Sequence, residues 1–217
     1  MMKRLIYAIV LLVLSISRVC AQDYEKAYYD VQQAFEQRLE TAQDNIREYL
    51  NKYPYTPYVD EVYTMQGVLL SEKKQYSLAI ETFEKVQVKN LSRVVTPLYY
   101  FHMGYAHMQL FEYEKALHYL LSLKTNHNSP FNLQAIYYAG YCYYKLKEYD
   151  KALVEFLSLE HIGGYRNIAP YYIVQIHYAM SEYEKVLERA EKLLIDFPNN
   201  EYNDELHRMI GEIYYQD

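Results

Sequence analysis

The stretch FNLQAIYYAGYCYYKLKEYDKALVEFLSL, Phe131 to Leu159, decides the fold, because its spacing of small and large residues recurs on both sides of it. Gly140, Ala152, Phe156 and Leu159 stand at offsets 0, 12, 16 and 19. Gly104, Ala116, Leu120 and Leu123 repeat those offsets upstream, and Gly67, Ala79, Phe83 and Val86 repeat them again. The spacing predicts a helical hairpin. Small residues let two helix backbones cross closely, so the Gly of the first helix is expected against the Ala of the second. The large apolar residues at offsets 16 and 19 are then expected to face the next hairpin.

A short signature marks each second helix: Tyr113-Glu114-Lys115-Ala116, Tyr149-Asp150-Lys151-Ala152, Tyr183-Glu184-Lys185-Val186 and, more loosely, Tyr76-Ser77-Leu78-Ala79. These residues resemble the tetratricopeptide repeat, a helix-turn-helix unit with a period of about 34 residues. The resemblance implies an all-α, right-handed solenoid of antiparallel helix pairs over residues 22–217. The repeats are expected at Asp23 to Tyr53, Tyr58 to Val88, Pro97 to Lys124, Pro130 to Leu159 and Ile168 to Phe197, with a final single helix at Tyr202 to Tyr215. The Gly slots, with Val174 in the fifth repeat, are separated by 37, 36, 34 and 37 residues. The excess belongs in the loops between repeats, where added length costs little.

The helix breakers agree with this register. Pro54, Pro57, Pro97, Pro130, Pro170 and Pro198 fall between repeats or in the first turn of a leading helix, where proline is tolerated. Thr96-Pro97 and Ser129-Pro130 read as an N-cap followed by the first helical residue. The apolar stripe Leu206, Met209, Ile210, Ile213, Tyr214 has helical spacing and is expected to dock the last helix on the fifth repeat. Gly211 occupies a slot that serves close approach of a second helix.

At the N-terminus, Lys3 and Arg4 precede an apolar run from Leu5 to Ile16, and Val19-Cys20-Ala21 follows. This is the pattern of a signal peptide spanning residues 1–21, with cleavage after Ala21. The apolar run of 12 residues is shorter than the roughly 20 a spanning helix needs. Lipid attachment at Cys20 is the minor alternative, since Ser17 and Val19 depart from the bacterial lipoprotein pattern. Export to the periplasm or cell envelope follows from either route. Loss of Lys3, Arg4 and Arg18 with that segment leaves 19 basic against 28 acidic residues, a net charge of −9. That balance argues against nucleic acid and anionic lipid as partners. Cys142 is then the one remaining cysteine, which leaves stability to packing and reads as a small buried apolar residue.

No chemical site emerges. Among the seven histidines, His102 and His107 stand about 140° apart around a helix, and no pair has the spacing of a helical zinc site. His107 and His177 lie three after the Gly slot, a place where the family has Tyr, and read as half-buried imidazoles. The carboxylates of Glu148-Tyr149-Asp150 and Glu182-Tyr183-Glu184 read as solvated helix starts favoured by the helix dipole. Catalytic residues, metal, cofactor and small-molecule substrate are therefore all expected to be absent.

Tyrosine is the remaining signal, 29 residues beside no tryptophan. In the tetratricopeptide family, residues three before, one after and four after the Gly slot point into a concave groove. Carried over, these are Thr64, Val68 and Ser71; Phe101, Tyr105 and Met108; Tyr137, Tyr141 and Tyr144; and Tyr171, Gln175 and Tyr178. The last three sets make an aromatic trough. None of the twelve is Lys, Asn or Arg, the types with which family members clamp a C-terminal carboxylate. The resemblance extends to exported repeat proteins of the bacterial envelope. It implies a non-enzymatic scaffold that binds a peptide or protein segment of another envelope protein, and touches membrane only through that partner or a lipidated Cys20. The alternative is a self-assembling module whose aromatic surface packs on another copy.

Overall fold

The computed structural model describes residues 22–124 and 129–216. Eleven α-helices and two short 3-10 turns make up its regular structure among those residues, with no strand. The signal-peptide reading of residues 1–21 lies outside the described residues. The chain divides into two compact units, one ending at His102 and one beginning at Met103.

The N-terminal unit holds α1 (22–36), α2 (Ala42–Lys52), α3 (Val59–Glu72), α4 (Tyr76–Phe83) and the start of α5 (Thr96–Gln109). The C-terminal unit holds the rest of α5, then α6 (Tyr113–Lys124), α7 (Asn132–Lys145), α8 (Tyr149–Leu159), α9 (Ile168–Ala179), α10 (Tyr183–Asp196) and α11 (Asn203–Gln216). Within each unit successive helices pack on one another: α2 on α3 and α3 on α4, then α6 on α7 through to α10 on α11. The fold is the all-α stack of helix pairs that the repeat implies.

The expected Gly-to-Ala crossing is met at Gly104, whose Cβ position lies 3.2 Å from the Ala116 carbonyl oxygen, while a large side chain also fills each of the first three slots. A Cβ on Gly67 would meet the Phe83 ring, one on Gly104 would meet Leu120, and one on Gly140 would meet Phe156 and Glu155. The slot therefore seats the large residue at offset 16 of its own hairpin. Phe83 and Phe156 also reach the following hairpin, edge-on to Tyr99 and stacked on Tyr172 at 4.8 Å. Gly211 departs further: nothing lies within 4 Å of its Cβ position.

Every hairpin turns through a left-handed residue that is not glycine. Arg38, Lys74, Phe111, Lys147 and Ser181 have φ between 53° and 62°. At Phe111 the N–H donates to the Met108 carbonyl and the next N–H, of Glu112, donates to the His107 carbonyl, both at 3.0 Å. Lys74, Lys147 and Ser181 repeat this paired arrangement, a Schellman closure that satisfies the carbonyls at the end of each leading helix.

Three buried carboxylates hold loops and helices together. Asp60 accepts the Gln87 N–H at 2.8 Å and the Asn90 amide at 2.7 Å, and Glu61 accepts the Ser92 N–H at 3.0 Å together with the Tyr28 hydroxyl. These bonds fix the loop 84–95, which carries much of the extra length between the second and third repeats. In the C-terminal unit Glu155, 4% exposed, accepts from Lys124 Nζ at 2.6 Å. The helix starts also shift: Ser92 Oγ accepts the Val95 N–H, which places Thr96 inside α5, and Ser129 Oγ accepts the Phe131 N–H ahead of α7.

The last helix docks as expected. Leu206, Met209 and Ile213 are buried in one cluster with Val174, Val186, Ala190 and Leu193, and Tyr202 stacks on Tyr171 at 4.1 Å. Tyr214 is 61% exposed and stands off that face. The equivalent residues His107 and His177 are 5% and 6% exposed, because the second helix of their own hairpin covers them.

Candidate functional site: an aromatic groove on α5 and α7

Helices α5 and α7, the turn after α5 and the start of α6 bring six rings and one thioether to one place. Tyr105, Met108, Phe111, Tyr113, Tyr137, Tyr138 and Tyr141, with the amide of Gln109, line a groove of about 330 Å³. Residues three and four apart share one helix face, which is why Tyr105 and Met108 of α5 and Tyr137, Tyr138 and Tyr141 of α7 converge. The rings meet at steep angles: Tyr105 and Tyr138 at 5.2 Å and 60°, Tyr113 and Tyr141 at 6.3 Å and 72°, Phe111 and Tyr113 at 6.3 Å and 75°. Edge-to-face contacts of this kind stabilise the cluster. Phe111, at the rim of this cluster, is 76% exposed.

The electrostatics of the groove are nearly neutral. None of its eight lining residues is Asp, Glu, Lys or Arg. Burial pushes the Tyr137 phenol up to about 12, and raises Tyr141 and Tyr113 as well, so these hydroxyls stay protonated donors at physiological pH. Lys145 sits over the rings of Tyr141 and Tyr144, its ammonium 5.3 and 5.8 Å from their centroids. Two other clefts contrast with it. One of about 350 Å³ against α1 and α2 includes Asp30, Glu48 and Lys52, and one of about 380 Å³ beside α10 includes Glu160, Arg166, Glu188, Arg189, Lys192 and Asp196.

The nine residues assigned to the trough separate into three groups. Tyr105, Met108, Tyr137 and Tyr141 line the groove. Tyr144, Tyr171, Gln175 and Tyr178 are engaged in hydrogen bonds instead: the Gln175 amide donates to the Tyr171 hydroxyl at 2.9 Å and Tyr144 donates to Gln175 at 3.4 Å, while Tyr178 separately donates to Glu212 of α11. Phe101 belongs to the N-terminal unit. Thr64, Val68 and Ser71, carried over as groove positions of the second repeat, are buried, at 0%, 0% and 2% exposed. The sequence reading passed over Phe111, Tyr113 and Tyr138. Tyr138 was recoverable as three before Tyr141 on one face, whereas a turn residue such as Phe111 follows no period.

His107 and His177 are held by glutamates of their own hairpins. His107 Nδ1 lies 2.6 Å from Glu112 and His177 Nδ1 lies 2.5 Å from Glu182, and each glutamate also pairs with Lys115 or Lys185. Those glutamates are therefore hairpin clasps as well as helix starts. Burial drives His102 down to about 4 and the Cys142 thiol up to about 12, which leaves the first uncharged and the second unreactive. Among the described residues no group of three or more His, Cys, Asp or Glu could hold a metal ion, and no helix is long and apolar enough to cross a membrane.

A stack of helical hairpins is the architecture of an α-solenoid. The family model of the tetratricopeptide repeat matches residues 134–159, which lie within α7 and α8. One repeat thus matches the family model, and the fold repeats the same kind of helical hairpin on either side of it. A tetratricopeptide repeat protein from Parabacteroides merdae is similar in structure, with a TM-score of 0.69, 18% identity and coverage of 88% of this chain and 74% of that one. A MamA RS-1 ArsTM double mutant is similar with a TM-score of 0.63 and 16% identity over 85% of this chain and 94% of that one. MamA AMB-1, in a P212121 crystal, gives 0.61 and 16% over 74% and 84%. No curated protein sequence matches the chain.

Proposed function

We propose that this protein is a non-enzymatic scaffold of the bacterial cell envelope that binds a peptide or protein segment in the aromatic groove on α5 and α7. The observation that carries the reading is Phe111, a large apolar ring 76% exposed at the rim of a groove lined by five tyrosines. Tyrosine and phenylalanine give large contact area with few rotatable bonds, so they bind partners at low entropic cost. Tyr144, Tyr171, Gln175 and Tyr178 support the groove by fixing α7, α9 and α11 through their own hydrogen bonds. The apolar start of the chain supports export, and the acidic balance supports a protein partner over nucleic acid.

Capture from an envelope extract by the full chain, compared with a Phe111→Ala/Tyr138→Ala variant, tests this. The variant is expected to fold, as judged by circular dichroism, and to lose the partners that the parent chain retains. Retention of the same partners at the same yield overturns the groove as the site.

A further inference from the structure

Helix α1 and the loop 84–95 lie far apart in the chain, yet one buried side chain of α3 holds both. We propose that Glu61 is a shared catch whose hold on the Ser92 end of the loop depends on a docked α1, so that α1 is a latch for that end of the loop and for the first turn of α5.

The physical basis is the demand of a buried carboxylate for donors. Glu61 is 7% exposed, and a carboxylate shut away from water needs a hydrogen-bond donor on each oxygen. Its Oε2 accepts the Tyr28 hydroxyl of α1, and its Oε1 accepts the Ser92 N–H of the loop at 3.0 Å. Tyr28 is positioned by its ring, which stacks at 4.1 Å and 11° on Tyr58, the residue just ahead of α3. Burial, and after it the hydrogen bond to Glu61, pushes the Tyr28 phenol up, which keeps its proton available to donate. Ser92 passes the hold onward. Its carbonyl accepts the Thr96 N–H at 3.0 Å and the Thr96 hydroxyl at 2.8 Å, and its Oγ accepts the Val95 N–H at 3.4 Å.

When the Ser92 end of the loop opens, water reaches the Glu61 carboxylate. With Tyr28 in place, closure excludes that water at little cost, because both oxygens have protein donors. With Tyr28 withdrawn, closure leaves Oε2 buried without a donor, and an acceptor left in that state is the costly case. Closure is therefore coupled to the docking of α1, and the coupling is reciprocal: whatever lifts α1 loosens Ser92, and whatever pulls Ser92 away loosens α1. Asp60 behaves differently. It bonds the Gln87 N–H at 2.8 Å and the Asn90 amide at 2.7 Å, with no donor from α1, so the Gln87 end of the loop keeps its anchor in either case.

Amide hydrogen exchange of the full chain, resolved by NMR, tests the catch. Tyr28→Phe keeps the ring and removes only the donor. The Ser92 amide should then exchange about tenfold faster or more, the size set by one hydrogen bond to a charged group, while Gln87 and the amides of α4 change little. Glu61→Gln should also speed Ser92, and adding Tyr28→Phe to it should have little further effect, because the influence of Tyr28 runs through the carboxylate. An unchanged Ser92 amide in Tyr28→Phe, or an equal rise at Ser92, Gln87 and α4, overturns the proposal. So does a Tyr28→Phe effect of the same size with and without Glu61.

Discussion

A Cβ on Gly67 would lie 2.5 Å from Cε1 of the buried Phe83 ring, whereas one on Gly211 would meet nothing within 4 Å. Two glycines at the same place in the repeat are thus held for different reasons. Gly67→Ala forces a fully buried ring to move and should destabilise the protein by about 1–3 kcal/mol. Gly211→Ala adds a better helix former without a clash and should stabilise it by up to about 1 kcal/mol. Urea unfolding of the two variants checks the sign of each effect. Equal and opposite-to-expected changes would show that the slot is not what distinguishes them.

The left-handed turn residues supply a second prediction. A side chain in this backbone region costs about 1–2 kcal/mol, partly offset by the extra freedom glycine has when unfolded. Lys147→Gly and Ser181→Gly, both exposed and at φ 60°, should each raise stability by about 0.5 kcal/mol, and together by about the sum. Denaturation midpoints measure this. A loss of stability in both variants would mean that contacts of the native side chains outweigh the backbone term.

The ion pair of Lys124 with Glu155 gives a third. Glu155 is 4% exposed, so removing its partner leaves a buried charge uncompensated. Lys124 is itself 37% exposed, so the loss in Lys124→Met is placed at about 2–3 kcal/mol, below the range for fully buried pairs. Adding Glu155→Leu to that variant should restore most of it. Thermal unfolding of the single and double variants decides, and no recovery in the double variant would contradict the account.

The histidine clasps predict a pH dependence. Glu112 is held below its usual range by His107 first and then Lys115, and Glu182 by Lys185 first and then His177. Carboxyls depressed in the folded state contribute stability that is complete above the unfolded value of about 4.5 and is lost as pH falls through the lower folded value. Glu112→Gln/Glu182→Gln should therefore be less stable than the parent chain at neutral pH, with the gap closing below the ordinary carboxylate range. Melting temperatures across pH 3–7 test this, and a gap constant over that range would refute it.

Much of the hairpin was legible in the sequence, because Gly67, Gly104 and Gly140 recur with fixed partners sixteen residues on. Position in a repeat does not reveal what a given copy packs against, and that is why Gly211 and Tyr214 read as packed residues and are open. The turns were illegible for a related reason: the expected signal, glycine in the left-handed region, is replaced by Lys, Ser and Phe. Asp60, Glu61 and Glu155 look solvated by residue type, and only their loop and lysine partners explain their burial. Of the groove, the positions carried over from the family resemblance identified Tyr105, Met108, Tyr137 and Tyr141. The same carry-over included Tyr144, Tyr171, Gln175 and Tyr178, since a position in the repeat does not tell what the next hairpin lays across it.

The central claim is that the groove is where a partner lies, and a photo-reactive p-benzoyl-phenylalanine in place of Phe111 tests it most directly. The control is the same group at Val154 of α8, which is 62% exposed and does not line the groove. Irradiation in intact cells should give a discrete cross-linked species from position 111 and none of that size from position 154. The same species from both positions, or from position 154 alone, would contradict the claim.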